Sequence, residues 1–153
     1  MAVALLCLGV IAGSGSFVFT DEYFGKSENV YKVPAEVKAV ADVIEEHSQL
    51  HQVKKRTVSP YGVATYIRIY DASIRQRYGR NMVANSNKQT ILYGQINADE
   101  PDYELLAEKA RKKKCVYVIL MRVADDEKTM NGLNYEKIYD GPRFKVYFDL
   151  NYA

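Results

Sequence analysis

The 153-residue chain predicts a small α/β fold: a mixed, partly parallel sheet with flanking helices and a C-terminal antiparallel hairpin, preceded by one N-terminal membrane helix. Three observations carry this. Ala2 to Thr20 contains no charged side chain. Two amphipathic helical stretches, Ala35–His47 and Tyr103–Lys112, are separated by strand candidates and followed by the continuous apolar run Cys115–Met121. Apolar and polar residues then alternate beyond Gly141-Pro142, as in a hairpin with one buried face.

The charge-free segment is either a secretion signal or a membrane span. Gly13 to Ser16 supplies the small residues of a cleavage site, but the positive n-region of a signal is missing. A spanning helix needs about 20 predominantly apolar residues, and Ala2–Thr20 approaches that length. Phe17, Phe19, Tyr23 and Phe24 then cluster at its end, as interfacial aromatics do. The span is therefore the favoured reading, and it suits the last helix of a longer protein. Residues 1–20 form this helix, 21–34 a juxtamembrane connector, and 35–153 one compact domain.

Within the domain, Val37, Val40, Ala41 and Ile44 recur at the spacing of one helix face. Pro34 stands just before that helix, and Glu36 in its first turn suits the helix dipole. Val53–Val58 is a short basic strand ending at Ser59-Pro60, and Ser59 is placed to cap a second helix, Tyr61–Tyr70. Asp71–Asn87 has no clean period and reads as a structured loop or broken helix; Thr90–Tyr93 fits strand or helix. Asp99–Asp102 starts the next helix, whose stripe is Tyr103, Leu105, Leu106 and Ala110, and Arg111–Lys114 closes it as a solvated basic end. Cys115–Met121 has the unbroken apolarity of a central strand buried on both faces. Asp125–Asn134 is a short helix begun by Asp125 and Asp126. Tyr135–Asp140 and Arg143–Leu150 form the hairpin.

Composition excludes several functions. The net charge of +2 argues against a nucleic-acid binder driven by overall charge. Two cysteines make no disulfide or metal framework: Cys7 lies in the leader, and Cys115 reads as a small buried hydrophobe. Thirteen tyrosines suit a surface meeting headgroups, sugars or protein partners, though they also suit an ordinary core. His47 and His51 share a helix face but lack a third zinc ligand, so no metal site and no cofactor is expected. Ser59 and Ser73 lack a nucleophile elbow. No catalytic constellation is visible.

The distinctive stretch is Tyr66-Ile-Arg-Ile-Tyr-Asp-Ala-Ser-Ile-Arg-Gln-Arg-Tyr-Gly-Arg-Asn-Met82. Between Val53 and Lys88, Lys54, Lys55, Arg56, Arg68, Arg75, Arg77, Arg80 and Lys88 face Asp71 as the lone acid. Arginine forks hold phosphate or carboxylate in a bidentate way. Arg75, Arg77 and Arg80 beside Tyr70 and Tyr78 are therefore the candidate ligand residues, for a diphosphate or a sugar. The structural alternative is that Arg75 or Arg80 pins the loop by pairing with Asp71, with Gly79 permitting a turn.

With the segment Glu28–Pro34, the helix after it and the Tyr-Gly-Arg stretch, the chain resembles the C-terminal extracytoplasmic tail of multi-pass bacterial membrane proteins. These are compared with polyprenyl-phosphate-dependent (GT-C-like) glycosyltransferases. The resemblance implies a domain at the outer face of a bacterial cell membrane, with the bilayer and a polyprenyl-phosphate or glycan substrate as partners. It also implies that any catalytic centre lies in a membrane portion preceding Met1. The expected function is a non-catalytic, membrane-tethered domain that assists substrate binding or positioning. The alternative is a protein-interaction module. An independent secreted enzyme is disfavoured.

Overall fold

A computed structural model describes the backbone of residues 35–77 and 87–153, and the side chains of 35–77 and 91–153. The expected membrane helix, the connector 21–34, Tyr78 and Arg80 lie outside the described residues. No helix among the described residues is long and apolar enough to cross a membrane.

Helix α1 (Ala35–Leu50) buries Val37, Val40, Ala41 and Ile44, the stripe read from the sequence. Gln52 then takes the left-handed conformation that stops a helix, and the chain enters strand β1 (Arg56–Val58). The expected helix over Tyr61–Tyr70 breaks into α2 (Tyr61–Ala64) and α3 (Ile67–Tyr70). Gly62 and the β-branched Val63 and Thr65 are weak helix formers, and Thr65 Oγ1 turns back onto the Tyr61 carbonyl at 2.9 Å. Ser59 does not cap α2. Pro60 takes the cap position, and the Ser59 hydroxyl donates to Gln76 Oε1 at 2.9 Å.

The stretch read as a loop after Asp71 holds a strand, β2 (Arg75–Arg77). Helix α4 (Asn87–Ile96) follows, longer than the sequence suggested, and then α5 (Tyr103–Lys112), capped by Asp102, whose carboxylate accepts from Leu105 N at 3.0 Å. Strand β3 (Tyr117–Met121) leads through a 3-10 turn (Arg122–Ala124) into α6 (Glu127–Gly132). Strands β4 (Tyr135–Asp140) and β5 (Phe144–Asp149) form the hairpin.

The five strands lie in the order β2-β1-β3-β5-β4. β1 is parallel to both β2 and β3, and β5 is antiparallel to both β3 and β4. The sheet is thus mixed and partly parallel, as expected. One expectation is corrected: β5 is not a strand with one exposed face, because all six of its residues are buried. It lies between β3 and β4 with cover on both faces. α1 packs on α3 and meets β4 and β5. On the other face, Leu92, Ile96, Leu106, Ala107, Ala110 and Met130 close over Val58, Val118, Leu120 and Tyr147. Cys115 belongs to this second core, fully buried as anticipated.

Candidate functional site: the arginine edge of the sheet

The register of the parallel edge determines which basic residues meet. Arg56 pairs with Arg75, Thr57 with Gln76 and Val58 with Arg77. Side chains alternate along a strand, so Arg56 and Val58 share one face, and their in-register partners share it too. Val58 is part of the core beneath α4 and α5. Arg56, Arg75 and Arg77 therefore stand on that same side, at the margin where the core runs out. Arg75 and Arg77 are exposed and Arg56 is half-buried. None of the three forms an ion pair with a described carboxylate.

Of the five residues expected to form a ligand site, Arg75 and Arg77 are brought together. Tyr70 is not. It ends α3 beside α1 and lines an open depression of about 350 Å³ with Glu45, Lys55, Asp71 and Ser73. Tyr78 and Arg80 lie outside the described residues.

The pairing of Asp71 with Arg75 also needs correcting. Lys55 Nζ donates to Asp71 Oδ2 at 2.7 Å and pairs with Glu45 as well. Asp71 Oδ1 accepts from Ser73 N at 2.8 Å and Ser73 Oγ at 2.6 Å. Burial opposes ionisation of Asp71, but the Lys55 and Ser73 hydrogen bonds outweigh it and hold the carboxyl well below the usual range. This cluster ties α1 to the segments entering β1 and β2. It occupies the amino ends of the parallel strands, whereas open α/β sheets take ligands outside the carboxyl ends. Its donors and acceptors are already matched, so it pins the loop.

Three further polar clusters were not read from the sequence. His47, expected at a solvated helix end, is half-buried. Its ring stacks on His51 at 4.2 Å between centroids, tilts against Phe148 at 4.5 Å, and brings Nδ1 to 3.2 Å from the Tyr117 hydroxyl. Burial, reinforced by the neighbouring His51, pushes the His47 pKa down. No group of three metal-ligating side chains forms among the described residues.

Asp125 does not cap α6, a role taken by Asp126 through Thr129 N at 3.1 Å. Asp125 instead accepts from the Tyr147 hydroxyl and faces Lys137 Nζ at 3.5 Å. Lys137 also pairs with Glu127 and with Asp140 at 2.8 Å, and Asp140 pairs with Lys145. Lys145 is only 2% exposed, and burial, together with the Arg122 charge, pushes its amine down. A lysine expected on the outer face of an alternating strand is inside because that face, which it shares with Leu120 and Tyr147, lies under the second core.

Arg111, expected in a solvated basic helix end, reaches Asp149 with Nε at 2.8 Å and Nη2 at 3.2 Å, and donates to the Leu133 carbonyl. Its guanidinium lies 4.9 Å from the centre of the Tyr135 ring. Hydrogen bonding to Asp149 raises the Arg111 pKa further. Arg111, Lys137 and Lys145 each meet a carboxylate. The arginine edge differs: its cations have no described acid to meet. Comparison with protein-family models, with curated proteins and with solved structures finds no match to the chain.

Proposed function

We propose that this chain is a non-catalytic, substrate-positioning domain of a glycosyltransferase-like protein of the bacterial cell envelope. In this reading Ala2–Thr20 tethers it to the bilayer, and Arg75 and Arg77 take the phosphate of a lipid-linked or glycan substrate. One observation carries the ligand role: two exposed arginines, two residues apart on an edge strand, have no described carboxylate partner. A surface arginine usually finds an acid or points alone into water. Two on one strand face, beside a third in register, make a focused positive field that an anion neutralises at little cost in desolvation. The membrane placement is supported by the charge-free leader and by the resemblance over Tyr70–Met82.

The test is a titration of the full chain, in uncharged detergent micelles, with a short-chain prenyl phosphate. Arg75→Ala with Arg77→Ala should weaken binding by about tenfold or more, the scale of losing charge-assisted bonds, and leave the melting temperature unchanged. Equal binding by variant and native chain refutes the ligand role.

A second reading, a protein-interaction module, is favoured by the outer edge of β2, which among the described residues pairs with no strand. An extended peptide added there would use backbone hydrogen bonds and ignore the arginine side chains. Arg75→Ala with Arg77→Ala would then leave partner binding intact, whereas proline at Gln76 would abolish it.

A further inference from the structure

We infer that Arg56 is the inner arm of this anion site, and that the site takes a phosphoanion of two or more negative charges, a phosphomonoester or a diphosphate. This rests on the reading of Arg75 and Arg77 given above and adds both the third residue and the ligand class. Arg56, Val58, Arg75 and Arg77 form a two-by-two block on one face of the parallel pair, with arginine at three corners. Paired Cα atoms in neighbouring strands lie about 5 Å apart, and alternate residues along a strand about 6.6 Å apart. Three arginine Cα atoms thus stand within about 8 Å of one another, close enough for their long side chains to reach one phosphoanion.

Like charges set directly opposite across strands destabilise a sheet. Arg56 faces Arg75 in register, and no described carboxylate separates them. Arg56 also carries a second cost: its Nε is shut off from solvent and has no hydrogen-bond partner. An unsatisfied buried donor costs about 1–3 kcal/mol. A chain selected for stability alone would place an apolar residue here, since Val58 two positions on is fully buried. A bound anion removes the first cost by lying between the cations, and the second when the half-buried Arg56 side chain turns onto it and brings Nε to an anion oxygen.

The ligand class follows from counting charges and donors. A carboxylate has one charge and is satisfied by a single fork. Three forks ask for more negative charge and more acceptor oxygens, which a phosphomonoester or diphosphate has. Burial pushes the neighbouring Cys115 thiol up to about 12, and the charges of Arg77, Arg56 and Lys113 pull against it.

The source of the phosphate is separated by two probes. The full chain in uncharged detergent micelles is titrated with inorganic pyrophosphate, followed by 31P line broadening, and with the same micelles doped with phosphatidic acid. Pyrophosphate should bind and acetate should not. A response to pyrophosphate alone identifies a soluble phosphoanion; tighter binding of doped micelles, lost on pyrophosphate competition, identifies a lipid headgroup; both outcomes support the site. Arg56→Met, which keeps the aliphatic stem, should lose about tenfold or more in pyrophosphate affinity while melting at the same temperature as the native chain or higher. Arg56→Lys should bind in between, with its charge retained and the inner N–H gone.

Native affinity in Arg56→Met, alongside lost affinity in the Arg75→Ala, Arg77→Ala variant, overturns the role of Arg56 and leaves the function proposed above standing. Failure of pyrophosphate to bind at millimolar concentration overturns the ligand class, and the prenyl phosphate titration then decides the function separately. A lowered melting temperature in Arg56→Met with unchanged binding makes Arg56 a structural residue and overturns the inference.

Discussion

Truncating Arg111 to alanine should cost about 3–4 kcal/mol, a large share of the 5–15 kcal/mol that holds an ordinary domain folded. Asp149 is fully buried, and four hydrogen bonds reach its carboxylate. Two come from Arg111 and two from Asn151, at 3.1 Å from the backbone N and 2.6 Å from Nδ2. Removing one partner of a buried pair typically costs about 3–5 kcal/mol, because the remaining charge is stranded. The two Asn151 donors stay, and the Arg111 side chain is one-third exposed (33%), so the low end of that range applies. Loss of the Leu133 carbonyl's donor and of the contact over Tyr135 adds roughly 0.5–1 kcal/mol. Urea unfolding of the full chain in mild detergent, followed by far-UV circular dichroism, measures the change. At about 2–4 °C per kcal/mol for a chain of this length, the melting temperature should fall by roughly 6–16 °C. Arg111→Lys, which keeps the charge and loses the fork, should cost about 1–2 kcal/mol. Arg111→Met combined with Asp149→Leu should recover much of the loss, as apolar replacements of buried ion pairs do. A cost below about 1 kcal/mol for Arg111→Ala would show that the Asp149 charge is not stranded and refute the reasoning.

Gly141→Ala should destabilise by about 1–3 kcal/mol, because a Cβ there meets the Glu36 carboxylate and lies 2.5 Å from the Tyr139 ring. Adding Glu36→Ala should restore only part of this, since Glu36 also accepts from Arg143 N and Phe144 N at 3.1 and 3.0 Å; a double-mutant cycle reads the coupling. His47 has its pKa lowered in the fold from 6.5, first by burial and then by the His51 charge, so folding favours its neutral form. Its contribution is complete above 6.5 and is lost as pH falls through the lower folded value. Urea unfolding at a series of pH values should show a steeper loss on acidification in the native chain than in His47→Gln. With burial holding it in the thiol form, Cys115 should resist iodoacetamide until the domain opens. In a Cys7→Ser background, labelling should follow the unfolding transition, and fast labelling of the folded protein would contradict the buried placement.

Helices α1 and α5 were legible because their apolar residues recur at one face and their starts carry Glu36 and Asp102. The strand β3 was legible because its apolar run is unbroken. The hairpin is legible from Gly141-Pro142, but its burial is not: alternation in Phe144–Phe148 marks polarity, and the second core over the Lys145 face is a tertiary fact. β2 escaped notice because three residues, Arg75-Gln76-Arg77, hold less than two periods of alternation. Missing β2 hid the site's third member. Arg56 is one of the basic residues of this region, yet only the parallel register brings it beside Arg75. Arg111 and Lys145 are obscured similarly, since charge in a sequence suggests solvent until an acid is placed beside it, Asp149 from far along the chain or Asp140 from across the hairpin.

The interior position of β5 has a consequence for how the chain is made. β5 comes last among the described strands, yet it joins β3 to β4 and takes hydrogen bonds on both edges. Until it emerges during synthesis, β3 presents the apolar run Tyr117–Leu120 along an unpaired edge, the kind of template on which other chains aggregate. A nascent chain ending at Gly141 is therefore a split sheet awaiting its keystone, with one parallel part and one stranded hairpin arm. Folding of this domain is decided by the arrival of a single segment, Phe144–Asp149, and whatever guards the growing chain must do so until that segment is free.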